Sequence, residues 1–410
     1  MLKTKLFIVL IALTSVFAAE EKWDPVKDPT INGRALDVVR MAVKPEWGYP
    51  ATQQDSYIVV LPKVDRKNAP LYVVLHSAGH DVVSCVKCTK QVGNHDIYHS
   101  PDDFYALYLD CRENKGDWWW GGMHVKDANL TKKNSGGDPM PVEKRVMANV
   151  RAVIEKYGID PNRVYLCGNS MGGSGALGIG TRNGDVFAAI KANVPAGIEH
   201  VSQRMYFPPA TVPETVKLPE PPVVIDYSGQ NDGWSAGHER FVKAMNDRKY
   251  ALYFYWGPFG HANNTSQILK VNDLINSFDW LTIKKNELYA VFTNATCNSK
   301  LPWPDDLKNI EAGQINAFFR WKTVSDTAEK VDVSLLLMNA TELKTKFEIP
   351  KEASADVTLR RLQKFKIKAG EAFKWSYGSA KGEGKADAEG LVTVSGLKMT
   401  AEPVTLSVSK

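Results

Sequence analysis

Cysteine is scarce, with five residues (Cys85, Cys88, Cys111, Cys167 and Cys297) in a chain of 410. That excludes a disulfide-built scaffold and leaves the fold to a hydrophobic core. Charge of one sign is also missing. The 51 basic and 46 acidic residues are interspersed and leave a formal net charge of +5, a solvated surface that gives no ground for a nucleic-acid partner. After the first twenty residues no apolar run is long enough to read as a membrane span. Internal repeats and low-complexity tracts are absent as well, which excludes solenoid and array architectures.

What is present begins with a segment that reads as an export signal. Lys3 and Lys5 precede an apolar run from Leu6 to Phe17, and Val16-Phe17-Ala18-Ala19 offers small residues for cleavage. The run is short for a bilayer span. The expectation is loss of residues 1–19, a secreted or periplasmic protein, and no membrane partner after cleavage. An oxidising compartment allows a bridge involving Cys85, Cys88 or Cys111, whereas Cys167 sits within an apolar strand and reads as a buried small hydrophobe.

The remaining length suggests two domains, and 44% hydrophobic with 24% charged residues is a globular composition. Over residues 20–286, apolar β-branched runs alternate with helical periodicity. Strands are expected at 35–43, 56–62, 71–75, 104–109, 164–168, 187–194, 223–227 and 251–256, with helices from Pro141 to Gly158, after Ser170, from 237 to 246 and from 266 to 284. Six prolines mark 199–222 as an irregular insertion. Such alternation implies an α/β fold, a mostly parallel sheet covered by helices on both faces. From 287 to 410 the texture changes to short alternating runs such as Val331, Val333, Leu335 and Leu337, broken by glycines: a small, sandwich-like all-β domain.

The chemistry centres on Val164-Tyr165-Leu166-Cys167-Gly168-Asn169-Ser170-Met171-Gly172-Gly173. A strand runs into Gly-x-Ser-x-Gly, and a helix of small residues follows at once. This is the pattern of a nucleophile elbow, where a sharp turn projects the serine hydroxyl and glycines two positions away on either side let strand and helix close together. A serine hydroxyl needs a base, and the base needs a carboxylate to fix its tautomer. Asp232 and His261 lie just beyond two later strands, in the order Ser, Asp, His. Asp226 is the second choice for the acid. Two backbone amides should hold the oxyanion: that of Met171, and one from the turn after Leu75, at Ser77 or Ala78.

The segments Leu75-His76-Ser77-Ala78-Gly79, Gly158-Ile159-Asp160-Pro161-Asn162-Arg163-Val164-Tyr165 and Gly168-Asn169-Ser170-Met171-Gly172-Gly173-Ser174-Gly175-Ala176-Leu177 resemble the α/β-hydrolase superfamily. Within it they resemble the secreted feruloyl esterase, acetylxylan esterase and polyhydroxybutyrate depolymerase group. The resemblance covers about residues 50–285. It implies Ser170 as nucleophile, His261 as general base and Asp232 as its orienting acid, on an α/β-hydrolase fold. Many relatives have glycine where this chain has Ser77.

The implied function is a secreted serine carboxylic-ester hydrolase acting on a polysaccharide-linked feruloyl or acetyl ester, with no cofactor. A prolyl-oligopeptidase-like peptidase and an inactive glycan-binding protein are the alternatives. Trp118, Trp119 and Trp120, on a loop after a central strand, are candidates with His76 for substrate contact; the tryptophans could equally pack their loop against the body. No metal is expected, because the Cys85, Cys88, His95 and His99 spacing departs from zinc-finger patterns and export favours disulfides. Four Asn-x-Ser/Thr sites, at Asn129, Asn264, Asn294 and Asn339, are glycosylation acceptors in form. Oligomeric state is not specified by anything in the sequence.

Overall fold

A computed structural model describes residues 24–410 except 43, 50–53, 65, 89–91, 112–118, 120–137, 262–267, 270, 304–310, 340–342 and 344–346. The export signal, Trp118, Trp120, Asn129 and Asn264 therefore lie outside the described residues.

The strands of the first half are β1 (Thr30–Ile31), β2 (Arg34–Ala42), β3 (Gln54–Val60), β4 (Leu71–Leu75), β5 (Tyr105–Leu109), β6 (Val164–Asn169), β7 (Ala189–Asn193), β8 (Val223–Gly229) and β9 (Leu252–Gly257). The second half opens with β10 (Tyr289–Thr293) and β11 (Gly313–Ile315). Ten of these form one sheet in the order β1-β2-β3-β5-β4-β6-β7-β8-β9-β11. From β5 to β9 neighbouring strands run parallel, and antiparallel pairs flank them on both sides. The parallel strands carry near-continuous apolar runs because both sheet faces are covered. Along β4, Leu71, Val73 and Leu75 enter one core, and Tyr72 and Val74 the other.

Chain order reverses at β4, which lies between β5 and β6. In such sheets the crevice beyond the carboxyl ends at the reversal is where ligands bind. There the chain leaves β4 at His76 and β6 at Ser170.

The expected α/β architecture is observed, with three local differences. Of the last helix, expected over 266–284, the described residues after 270 form a short turn of helix at Asn272–Asn276 and a 3-10 turn at Trp280–Thr282. The break follows from packing: Phe278 stacks on Tyr253 at 3.9 Å between ring centroids, and Ser277 Oγ donates to the Leu274 carbonyl, competing with helix continuation. The insertion at 199–222 begins with a helix, Glu199–Arg204. All five cysteines are free, which overturns the expected bridge involving Cys85, Cys88 or Cys111; Cys111 Sγ lies 3.5 Å from His76 Nε2 instead.

The C-terminal half adds β12 (Phe319–Asp326), β13 (Lys330–Leu337), β14 (Ala353–Arg360), β15 (Ala372–Tyr377), β16 (Ala380–Lys385), β17 (Val392–Met399) and β18 (Val404–Ser409). They form two antiparallel sheets, β10-β14-β17 and β12-β13-β18-β15-β16. Their inward faces share a core with one face of the large sheet. Two features tie the halves together. Strand β11 pairs with the edge of β9, Gln314 opposite Tyr255. The buried Arg361 guanidinium donates to the carbonyls of Gly184, Phe187, Ala188 and Pro221.

His200, in the helix Glu199–Arg204, is buried against the helix Met171–Arg182, where a methyl on Gly178 would lie 1.9 Å from its Cδ2. Neither ring nitrogen has a hydrogen-bond partner among the described residues. Burial, helped by the Arg204 charge, pushes its pKa down to about 3. The folded ring stays neutral where the unfolded ring, titrating near its ordinary 6.5, takes up a proton. Between those values the unfolded chain binds more protons, so stability is lost as pH falls. From pH 7 to pH 5 the parent should lose about 2 kcal/mol more than His200→Phe. Denaturant melts of both proteins at the two pH values test this, and equal losses would contradict it.

Candidate active site

The elbow forms where β6 meets the helix Met171–Arg182. Ser170 has φ 55° and ψ −114°, a strained conformation for a residue with a side chain. Its backbone is held from both directions: its N–H donates to the Asn193 carbonyl at 2.9 Å, and its carbonyl accepts from Ser174 and Ala196 at 3.0 and 2.9 Å. Two glycines make this turn possible. A methyl on Gly172 would lie 1.9 Å from the Leu75 carbonyl oxygen, and one on Gly168 would lie 2.0 Å from the Gly172 carbonyl oxygen.

From this turn Ser170 Oγ reaches His261 Nε2 at 2.7 Å. His261 Nδ1 lies 2.7 Å from Asp232 Oδ2. Asp232 is a bare acceptor when ionised, so it fixes the proton on Nδ1 and leaves Nε2 to accept from the serine hydroxyl. The Asp232 side chain is 1% exposed and that of His261 31%: the acid is shielded while the imidazole reaches the crevice. The other Asp232 oxygen accepts the Trp234 N–H at 2.8 Å. The carbonyl of His261 accepts from Asn94 Nδ2, and Asn94 Oδ1 accepts from Tyr227 Oη. The loop that carries His261 is thereby anchored to β8 through Tyr227.

Asp226 is a member of a different pair. It is fully buried within β8, with Oδ2 3.1 Å from His238 Nε2. His238 Nδ1 is 2.8 Å from the Ser235 carbonyl, which can only accept, so Nδ1 carries a proton. Burial opposes charge on His238, yet the hydrogen bond and attraction of Asp226 outweigh it and raise its pKa. Ser235 in turn donates its N–H to the Asp232 carbonyl and its hydroxyl to Gly229. This pair therefore braces the turn that presents Asp232.

The turn after β4 refines the expected oxyanion donors. The Ser77 N–H is already directed at Tyr98 Oη, 2.9 Å away, and the Tyr98 hydroxyl donates to Ser77 Oγ. Ser77 is therefore withdrawn as an oxyanion donor, and Ala78 is the candidate that stays beside Met171.

The substrate-contact expectation fails at two residues. His76 is 2% exposed, with Nδ1 donating to the Ser77 carbonyl and Nε2 accepting the Cys111 N–H at 3.1 Å. Trp119 is fully buried. Its Nε1 donates to the His76 carbonyl at 2.8 Å, and its side chain fills the space that a methyl on Gly175 would need, 2.3 Å from Trp119 Cβ. Both side chains shape the turn from beneath and do not face the crevice.

A residue that sequence reasoning passed over stands at the rim. Trp234, two positions after Asp232, is 53% exposed, and its ring centroid lies 6.3 Å from that of His261. Its place on the loop after the acid was the available signal.

No family model and no curated protein matches the chain. Solved structures similar to it include a thermostable esterase (17% identity, TM-score 0.38, covering 55% of this chain and 54% of that one). A ferulic acid esterase from Anaeromyces mucronatus in complex with ferulic acid shows 16% identity and a TM-score of 0.38, over 59% of this chain and 92% of that one. An S-formylglutathione hydrolase from Agrobacterium tumefaciens shows 13% and 0.39, over 57% and 90%. The fold is read from the strand order, the reversal at β4 and the turn at Ser170, features internal to this chain. They identify its large sheet as that of an α/β-hydrolase fold, with Ser170, His261 and Asp232 joined by hydrogen bonds at its elbow.

Proposed function

We propose that this chain is a serine carboxylic-ester hydrolase working through an acyl-enzyme. The observation that carries the reading is the pair of 2.7 Å contacts linking Ser170 Oγ to His261 and His261 to the buried Asp232. As Ser170 Oγ attacks the ester carbonyl, His261 Nε2 takes its proton and Asp232 stabilises the imidazolium. The oxyanion is held by the Met171 amide at the start of the helix, with Ala78 as second donor. Collapse of the intermediate expels the alcohol, which receives the proton from His261. Water then repeats the sequence on the acyl-enzyme, releasing the acid and restoring the serine.

The finer reading is an exported enzyme that removes feruloyl or acetyl groups from plant-wall polysaccharide. It is supported by the N-terminal Lys3 to Ala19 pattern and by the sequence resemblance over residues 50–285. N-terminal sequencing of protein recovered from the growth medium, starting near residue 20, would support export.

Two substitutions test the chemistry. Ser170→Ala should retain the far-ultraviolet circular dichroism of the parent and lose about 10⁴-fold or more in kcat on methyl ferulate or 4-nitrophenyl acetate. Asp232→Asn, which keeps the shape but favours the wrong tautomer, should lose about 10⁴-fold. Parental rates in folded Ser170→Ala would sink the proposal. Proline-containing peptides assayed in parallel would reveal a peptidase.

A further inference from the structure

The geometry points to Trp234 as the platform for the alcohol portion of the substrate, and we propose that this portion is a sugar ring. The inference rests on the hydrolase reading above and extends it to a recognition element.

Four groups surround the tetrahedral carbon formed by attack of Ser170: the serine oxygen, the oxyanion, the acyl chain and the leaving oxygen. The oxyanion points to the Met171 and Ala78 amides. The leaving oxygen must come within hydrogen-bond reach of His261 Nε2, because that nitrogen returns the proton. Whatever is attached to the leaving oxygen therefore passes beside the imidazole. The exposed Trp234 ring is a neighbour of that imidazole, 6.3 Å from it between centroids.

The ring is presented by a rigid support. Trp234 N–H donates to Asp232 Oδ1, and the next residue, Ser235, is tied to Gly229, Asp232 and His238. The backbone on both sides is fixed by buried partners while the side chain is left in water. Among the described residues, Trp234 is the one aromatic side chain in the set of exposed large hydrophobic residues, the others being Val26, Val64, Leu269 and Val324. One exposed apolar ring is ordinary on a protein surface; what sets this one apart is its place beside the His261 imidazole on a rigid support.

Indole faces carry negative electrostatic potential and favour partners that present a flat, weakly positive edge or face. The C–H face of a sugar ring has that character, whereas a methyl or ethyl alcohol has too little surface to use it. Asn231, exposed on the same loop, offers an amide donor and acceptor to ring hydroxyls.

The experiment compares Trp234→Ala, Trp234→Phe and parent on two esters of one acid, methyl ferulate and a feruloylated arabinoxylan oligosaccharide. In Trp234→Ala, kcat/KM for the oligosaccharide ester should fall about 10-fold further than for the methyl ester, the equivalent of about 1.4 kcal/mol. Trp234→Phe should recover most of the difference. The unesterified oligosaccharide, as a competitive inhibitor of methyl ferulate hydrolysis, should show a matching rise in Ki. Equal falls on the two esters, or no change on the oligosaccharide ester, would overturn the assignment. Failure of the underlying reading looks different. A parent enzyme not labelled at Ser170 by a fluorophosphonate rejects the triad chemistry, and one that is labelled but hydrolyses neither these ferulates nor an acetylated xylo-oligosaccharide rejects the polysaccharide substrate and this inference with it.

Discussion

Leu75 and Gly168 face each other across adjacent parallel strands, and the chain beyond each must turn within the same few ångströms. That crowding is the constraint from which the site follows. The turn after β6 can close on the β4 carbonyl only because Gly172 has no side chain, and closing it bends Ser170 into its positive φ. The strain is stored in a residue whose N–H and carbonyl are both hydrogen-bonded to neighbouring segments, so the surrounding sheet over-determines it. The helix that starts there is packed as tightly: Trp119 and His200 lie where methyls on Gly175 and Gly178 would have to go.

Two Asp–His pairs draw their aspartates from β8 and the turn after it, and their difference is instructive. In one, both Asp226 and His238 are fully buried, 3.1 Å apart, and they hold a turn. In the other, the acid is equally hidden but a third of the imidazole surface is open, so a proton can be exchanged with a bound molecule. The same two residue types serve architecture or chemistry according to solvent access at the histidine.

That distinction explains what was legible in the sequence. Continuous apolar strands, the Gly-x-Ser-x-Gly turn, and an acid and a histidine after later strands are local patterns, and local patterns locate Ser170, Asp232 and His261. Exposure is set by tertiary packing, which sequence spacing does not report. Trp119 and Trp234 are both loop tryptophans close to strand ends, yet one is a buried wedge and the other an open platform. His76 reads like a contact residue until Cys111 and Ser77 are seen to occupy both its nitrogens. The periodicity continues to Phe278, but the helix Asn272–Asn276 ends just before it, where Phe278 stacks on Tyr253. Three residues, Gly313–Ile315, are too few for any pattern to announce that they return to the large sheet.

That returning strand has a consequence for how the molecule comes into being. A chain emerging from its amino end has Ser170, Asp232 and His261 in hand well before it has Gly313. Until β11 arrives, the edge of β9 is an open row of backbone donors and acceptors, the kind of edge that recruits foreign strands. The carbonyls of Gly184, Phe187, Ala188 and Pro221 likewise wait for Arg361. The C-terminal half is thus the closing piece of the large sheet, and the first half excised alone would carry a sticky flank that β11 covers in this chain.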